Sequence, residues 1–226
     1  MWRWLGRVAF SDAATLQESV RRDLLAGSGP QTLLLLEHDP VITLGRGADA
    51  ANILAPESEL ARRGIHVHRA SRGGDVTYHG PGQLVGYPIV RLGAGVRAHV
   101  ERMAAAVADV LGGLGIAARY RNDAPGLWVD HDGREAKICA FGINVHHRVT
   151  THGFALNLDP DLGAFELIVP CGLAGRPATS VRAILGGAPA PEDLAAAVAR
   201  ALGARFGITF VPASGSELQC TSGPLQ

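Results

Sequence analysis

The sequence predicts an α/β (α+β) fold of one domain, a mixed sheet with helices packed against it. Three observations carry that expectation. Strand-length apolar runs and amphipathic helices follow one another in irregular order rather than in strict alternation. A chain of 226 residues, 47% of them hydrophobic, is long enough to bury one sizeable core. No internal repeat and no linker long enough to divide the chain interrupts it. The expected division is one domain over residues 1–212 and a flexible tail over 213–226.

Taken in order, Ser11 or Asp12 is placed to cap a first helix. Leu16, Val20 and Leu24 fall four apart on one face, and Gly27 and Gly29 end it. Thr32–Glu37 is a continuous apolar run of strand length. Asp39-Pro40 breaks it, and Val41–Leu44 resumes extended structure. Gly45-Arg46-Gly47 reads equally as a structural turn or a ligand contact. Pro56–Arg63 is a short helix with proline in its first turn. Ile65–Arg69 alternates as a half-buried strand, with His66 and His68 on one face. Without a third ligand nearby, that pair reads as a solvated face rather than a metal site. Leu84–Val90 is a strand.

Val96–Leu114 is the longest helix, carried by Val96, Val100, Met103, Val107, Val110, Leu111 and Leu114. Leu127–Val129 and Glu135–Val145 form two strands joined through Asp132-Gly133, a hairpin turn. Phe154–Leu158 is a further strand. Pro191–Phe206 is an amphipathic helix, with Leu194, Val198 and Leu202 on one face. Ile208–Val211 is expected as a last strand.

Composition excludes several classes. Lys plus Arg number 21 and Asp plus Glu 21, so the net charge is zero. No global basic bias points to nucleic acid or to an anionic membrane. Arg3 and Arg7 break the apolar run Met1–Phe10, which therefore does not read as a signal peptide, and no later run reaches membrane-spanning length. Cys139, Cys171 and Cys220 are scattered without metal-motif spacing. Thiols in a cytoplasmic protein are expected, and no metal.

The densest chemistry lies in Arg72–Gln83, read as RGGDVTYHGPGQ. Four glycines in twelve residues allow backbone to approach a ligand. Arg72, Thr77, Tyr78, His79 and Gln83 supply donors between them. A tight turn into a strand also fits this stretch, but convergent polar groups beside bare backbone favour a ligand-lining loop.

Two cysteines compete as nucleophile. Cys171 stands between Pro170 and Gly172 at the end of the apolar run Leu167–Val169. Cys139 lies two residues after Lys137, so in a strand both point to the same face. Each also reads as a buried small hydrophobe. Lys137 sits in the otherwise apolar segment Ala136–Ile143. Either its stem is buried and its head reaches water, or its charge is coupled to a nearby thiol. His146 and His147 are adjacent, point to opposite faces, and make a poor metal pair.

RGGDVTYHGPGQ resembles the signature of the lipoyl(octanoyl) transferases of the lipoate–protein ligase B type. Lys137–Gly142 (KICAFG), Thr151–Asn157 (THGFALN) and Pro170–Leu173 (PCGL) agree with that family in the same order, between about Leu35 and Leu185. The resemblance implies the single-domain biotinyl/lipoyl protein ligase fold. It implies that Cys171 carries the acyl thioester, with Cys139 left to packing, and that Lys137 tunes Cys171 and acts as base. It implies substrate contacts from Arg72, Gly73, Gly74, Asp75, Val76, Thr77, Tyr78 and His79, from Ala140, Phe141 and Gly142, and from Gly153, Phe154 and Ala155. His79 and His152 are read as positioning groups, with Cys/His chemistry as the alternative.

The implied donor is octanoyl-acyl carrier protein. The implied acceptors are lipoyl domains of 2-oxoacid dehydrogenase complexes and the glycine cleavage H protein. No cofactor is required by this chemistry. Three rivals remain open: an ATP-dependent lipoate or biotin ligase, a thiol hydrolase, and a lipoyl-domain binding module without catalysis.

Overall fold

The computed structural model of the protein describes residues 1–169 and 176–213. Its main sheet has seven strands in the order β1-β2-β6-β10-β9-β8-β7. These are β1 (Trp2–Val8), β2 (Thr32–His38), β6 (Gln83–Ile89), β7 (Arg119–Arg121), β8 (Gly126–His131), β9 (Arg134–His146) and β10 (Val149–Asn157). A second sheet of β4 (His66–Arg69), β3 (Val41–Leu44) and β5 (Val76–His79) lies in the order β4-β3-β5.

Each parallel pair is joined by a crossover helix, as parallel strands require. Helix α1 (Phe10–Ala26) carries the chain from β1 to β2, and α2 (Glu57–Arg62) from β3 to β4. Helix α3 (Val96–Gly113) and helix α5 (Pro191–Phe206) cover one face of the main sheet. Met103, Val107, Leu111, Val198 and Leu202 bury there against Leu33, Leu35, Leu127, Ile138 and Leu156. Val20 and Leu24 of α1 cover the other face, against Leu34, Leu36 and Val85. The small sheet has its own core of Ile42, Leu44, Val76 and Tyr78 with Leu60, Leu167 and Ile168. A short helix, α4 (Val181–Leu185), completes the described elements.

The predicted elements correspond closely in the middle of the chain and less so at its edges. β3 and α5 match their predicted bounds, and the predicted Asp132-Gly133 turn has both residues at positive φ, 52° and 71°. β10 begins five residues before the expected Phe154, because the β9–β10 turn is His147-Arg148, at φ 46° and 61°. That is a hairpin turn built without the Asn, Asp or Gly that signals one. Ser11 and Asp12 do not cap α1: the helix starts at Phe10, and its N-cap, Ala9, makes no side-chain cap bond. Ile208–Val211 is not a strand. Pro212, which has no N–H to donate, makes only an isolated bridge to Trp2 there. Three strands were not anticipated: β1, broken in pattern by Arg3 and Arg7, β5 within the glycine-rich stretch, and the three-residue β7. His66 and His68 sit on the edge strand β4, and no group of three metal-binding side chains exists among the described residues. Nor does any described helix have the length and apolarity to cross a membrane.

Candidate active site

The site is organised by an irregularity in β9. The Asp132-Gly133 turn sets β8 and β9 in register, so Trp128 pairs with Lys137. One residue further, the register shifts and Leu127 pairs with Cys139. This β-bulge spends an extra residue on β9 and reverses the alternation of faces beyond it. Ile138 and Cys139 are both buried in the core under α3 and α5. Lys137 and Ala140 both face the opposite side, into a cleft. The expectation that Lys137 and Cys139 share a face is therefore corrected: the bulge separates them. Burial pushes the Cys139 thiol far above the ordinary thiol range, which leaves it a packing residue.

That first cleft takes in about 500 Å³, counting the solvent-open space at its mouth. Lys137, Trp128, Arg176, Phe165, Tyr78 and Ala155 are among its lining residues. The Lys137 Nζ donates to Pro125 O at 3.3 Å and lies 4.8 Å from the centre of the Trp128 ring. The Arg176 and Arg121 guanidinium carbons approach the same ring, at 5.4 and 5.9 Å. Trp128 is fully buried and fixed by Nε1–H donating to Ala124 O at 2.9 Å. An indole face attracts cations, so this ring is a seat for the lysine head. Gly126 makes room for the lysine stem, since a Cβ there would stand 2.9 Å from Lys137 Cε.

A second cleft, of about 480 Å³, continues from the first. Thr77, Ala140 and Ala155 line both. It runs past Phe141, Gly142, Gly153 and Phe154 to Phe10, Tyr87 and His152. Gly153 allows β10 and β6 to pack closely, because a Cβ there would meet Gly86 O at 2.1 Å. A wider groove opens from Lys137, Phe141 and Gly142 over Gly73, Gly74 and Asp75 toward Arg46, so Gly45-Arg46-Gly47 borders the site. Lys137 thus stands where the first cleft meets this groove.

The glycine-rich stretch is half strand: Val76–His79 is β5, and the glycines flank it. Arg72 is buried and donates to Thr43 O at 2.6 Å, Thr43 Oγ1 at 2.7 Å and Gly73 O at 3.1 Å, while also lining the second cleft. The Asp75 carboxylate accepts from Asn52 Nδ2 at 2.6 Å and Asp49 N–H at 3.1 Å. Asn52 O in turn accepts from Val169 N–H at 2.7 Å. Val76 packs into the small-sheet core and lines none of these three clefts.

A hydrogen-bonded chain joins this stretch to Lys137. His79 Nδ1 meets Gln83 Oε1 at 3.2 Å, and Gln83 Nε2 donates to Asn157 Oδ1 at 2.9 Å. Asn157 Nδ2 donates to Thr179 O at 2.9 Å, and Thr179 N–H donates to Lys137 O at 2.9 Å. Lys137 N–H donates to Pro177 O at 2.9 Å, so residues 177–179 run beside β9 where β10 leaves it.

His79 and His152, which line the second cleft, and His38, in ring contact with His79, are neutral. Burial lowers His38 and His152 to about 4, and His79 well below its ordinary value. His152 has φ +57°, a strained conformation for a residue with a Cβ. Its N–H donates to Gln17 Oε1 at 2.7 Å, and its Nε2 meets Ser71 Oγ at 3.0 Å. Cys171, with the rest of Pro170–Leu173, and Cys220 lie outside the described residues.

Trp128, Gly126 and Asn157 are site residues that the sequence reading passed over. The Asp132-Gly133 turn held the signal for Trp128, since a two-residue hairpin there already sets it opposite Lys137. Asn157 closes the THGFALN motif. Nothing in the sequence marked Gly126.

The arrangement of a seven-stranded mixed sheet flanked by a three-stranded one is shared with solved lipoate ligases. Lipoate-protein ligase A bound with ATP superposes at a TM-score of 0.74, covering 95% of this chain and 89% of that one at 18% identity. A bipartite lipoate protein ligase from Thermoplasma acidophilum, studied with its E2 lipoyl domain, gives 0.72 over 96% and 87% at 16% identity. Those likenesses are of fold. The chain belongs to the Lipoyl protein ligase A/B catalytic domain family, which it matches over residues 10–203. The octanoyltransferase of Chloroflexus aggregans is 45% identical over 213 residues, 92% of this chain and 96% of its own.

Proposed function

We propose that this protein is a cytoplasmic octanoyltransferase of protein lipoylation, working through a thioester on Cys171. In the first half-reaction the Cys171 thiolate attacks the carbonyl carbon of octanoyl-acyl carrier protein, the carrier's C–S bond breaks as the Cys171 thioester forms, and the Lys137 ammonium protonates the leaving carrier thiolate, which leaves Lys137 neutral. In the second, the amine of a lipoyl-domain lysine attacks the carbonyl carbon of the Cys171 thioester, the amide C–N bond forms, and the C–S bond breaks to expel the Cys171 thiolate. Lys137 takes the proton that the acceptor amine loses. The acceptors are the lipoyl domains of 2-oxoacid dehydrogenase complexes and the glycine cleavage H protein.

The observation that carries this reading is the Lys137 head, set at the junction of an apolar cleft and an open groove. Both flanks of the Cys171 segment are tied to that region. Val169 is bonded to Asn52 beside Asp75, and Arg176–Ala178 line the lysine's own cleft. Family membership and a relative named octanoyltransferase support the reaction. A fold neighbour studied with a lipoyl domain supports the acceptor. An apolar cleft also suits the substrate, since each buried methylene contributes about 0.8 kcal/mol. The direct test is intact mass after incubation with octanoyl-carrier protein and no ATP. The enzyme should gain one octanoyl group, lose that adduct in Cys171→Ala and keep it in Cys139→Ala. An adduct surviving in Cys171→Ala, or transfer that needs ATP, defeats the proposal.

A further inference from the structure

The second cleft ends on a wall to which the proposed chemistry gives no task. Along β9 and β10 the rungs run Ala140–Ala155, Phe141–Phe154, Gly142–Gly153 and Ile143–His152. Three residues of strand separate the alanines shared by both clefts from His152, about 10 Å at 3.3 Å per residue. An extended eight-carbon chain has seven bonds of about 1.5 Å in zigzag, which also span roughly 9 Å.

Phe10, the first residue of α1, stands at that end with its ring stacked on His152, 6.4 Å between centres and 13° apart. It also meets His38 edge-on, 5.4 Å between ring centres and 60° apart. Tyr87 closes edge-on against His152 at 6.0 Å. The polar atoms of this wall are turned on one another. His38 Nδ1–H donates to Val8 O at 2.8 Å, which leaves Nε2 to accept from the Tyr87 hydroxyl at 2.6 Å. His152 Nε2 is engaged by Ser71. The rings of Phe10 and Tyr87, which line this end of the cleft, offer apolar surface suited to a methyl end.

We propose that Phe10, set against His38 and His152 across from Tyr87, is the stop that sets acyl-chain length. This rests on the octanoyl reading above. Chains longer than eight carbons meet a wall that is over-packed by each extra methylene. Shorter ones leave it unfilled and lose about fourfold in affinity per methylene, the equivalent of about 0.8 kcal/mol.

The test is single-turnover acylation of the enzyme by carrier protein bearing six-, eight-, ten- or twelve-carbon chains, read by intact mass. The parent should favour eight carbons. Phe10→Ala should raise the ten-to-eight ratio by about tenfold or more, two methylenes at about fourfold each. Phe10→Trp should move the preference the other way, toward six. Ratios are taken within one protein, so a lower folded fraction cancels, and Phe10→Leu serves if Phe10→Ala does not fold. Parental ratios in every variant overturn the stop while leaving the octanoyl reading intact. A parent that accepts no acyl chain of any length overturns both.

Discussion

The two clefts share Thr77, Ala140 and Ala155, yet their charges differ sharply. Around Trp128 the first gathers Lys137 and Arg176, with Arg121 behind. The second is lined by His79 and His152, held neutral by burial, with His38 in ring contact with His79; ring nitrogens of the three are tied to Gln83, Ser71, Val8 and Tyr87. One region keeps charge available near an open groove, as acyl transfer requires. The other holds its histidines neutral and ties its lining cation, Arg72, to Thr43 and to the Gly73 carbonyl, beside the apolar surface an alkyl chain requires. Chemistry and chain selection are thus divided between two ends of one continuous space, and variants should affect one end without the other.

The largest separation should come from Lys137→Ala. Loss of a general base costs about 10²–10⁴ in rate, so single-turnover transfer to a lipoyl domain should fall by that factor. The preference among chain lengths should stay parental, because the second cleft is untouched. A changed preference would break the division.

A smaller effect should follow from Gly126→Ala. Its Cβ would stand 2.9 Å from Lys137 Cε and 3.0 Å from Cys139 O, displacing the lysine from its seat on Trp128. Misplacing a catalytic group by about 1 Å costs up to about 10²-fold, so transfer should drop by about 10- to 100-fold. Circular dichroism should show that the fold is kept.

The smallest effect concerns stability. His38 and His152 have folded-state values near 4, below the unfolded value of about 6.5. Between those limits the unfolded chain binds more protons, so stability rises with pH there. The contribution is complete above about pH 6.5 and is lost as pH falls toward 4, at up to about 1.4 kcal/mol per pH unit for each histidine. Urea midpoints at pH 7, 6 and 5 should fall accordingly. His38→Asn should flatten that slope and Lys137→Ala should not.

Much of this was legible in the sequence because local chemistry and tertiary structure agreed. Apolar periodicity marked α3 and α5, and Asp132-Gly133 marked its hairpin. What was not legible depended on neighbours. β1 carries Arg3 and Arg7 and is a strand because it pairs with β2. His147-Arg148 turns without a turn residue because β9 and β10 are fixed on both sides. The bulge at Ile138 is silent in sequence, yet it decides that Lys137 faces the cleft while Cys139 faces the core. Phe10 and Tyr87, far apart in the chain, meet His152 only in the folded state. Residues of three motif stretches, those beginning at Arg72, Lys137 and Thr151, line the two clefts.

The central claim, that Lys137 and Cys171 act as a coupled pair, is tested most directly by the pH profile of iodoacetamide labelling at Cys171. The parent, Lys137→Arg and Lys137→Ala are compared, with single-turnover transfer measured alongside. Arginine keeps a cation and does not give up its proton. Lys137→Arg should therefore label like the parent and fail to transfer, whereas Lys137→Ala should need a higher pH to label and also fail. A Lys137→Ala enzyme with the parental labelling profile and the parental transfer rate would contradict the account.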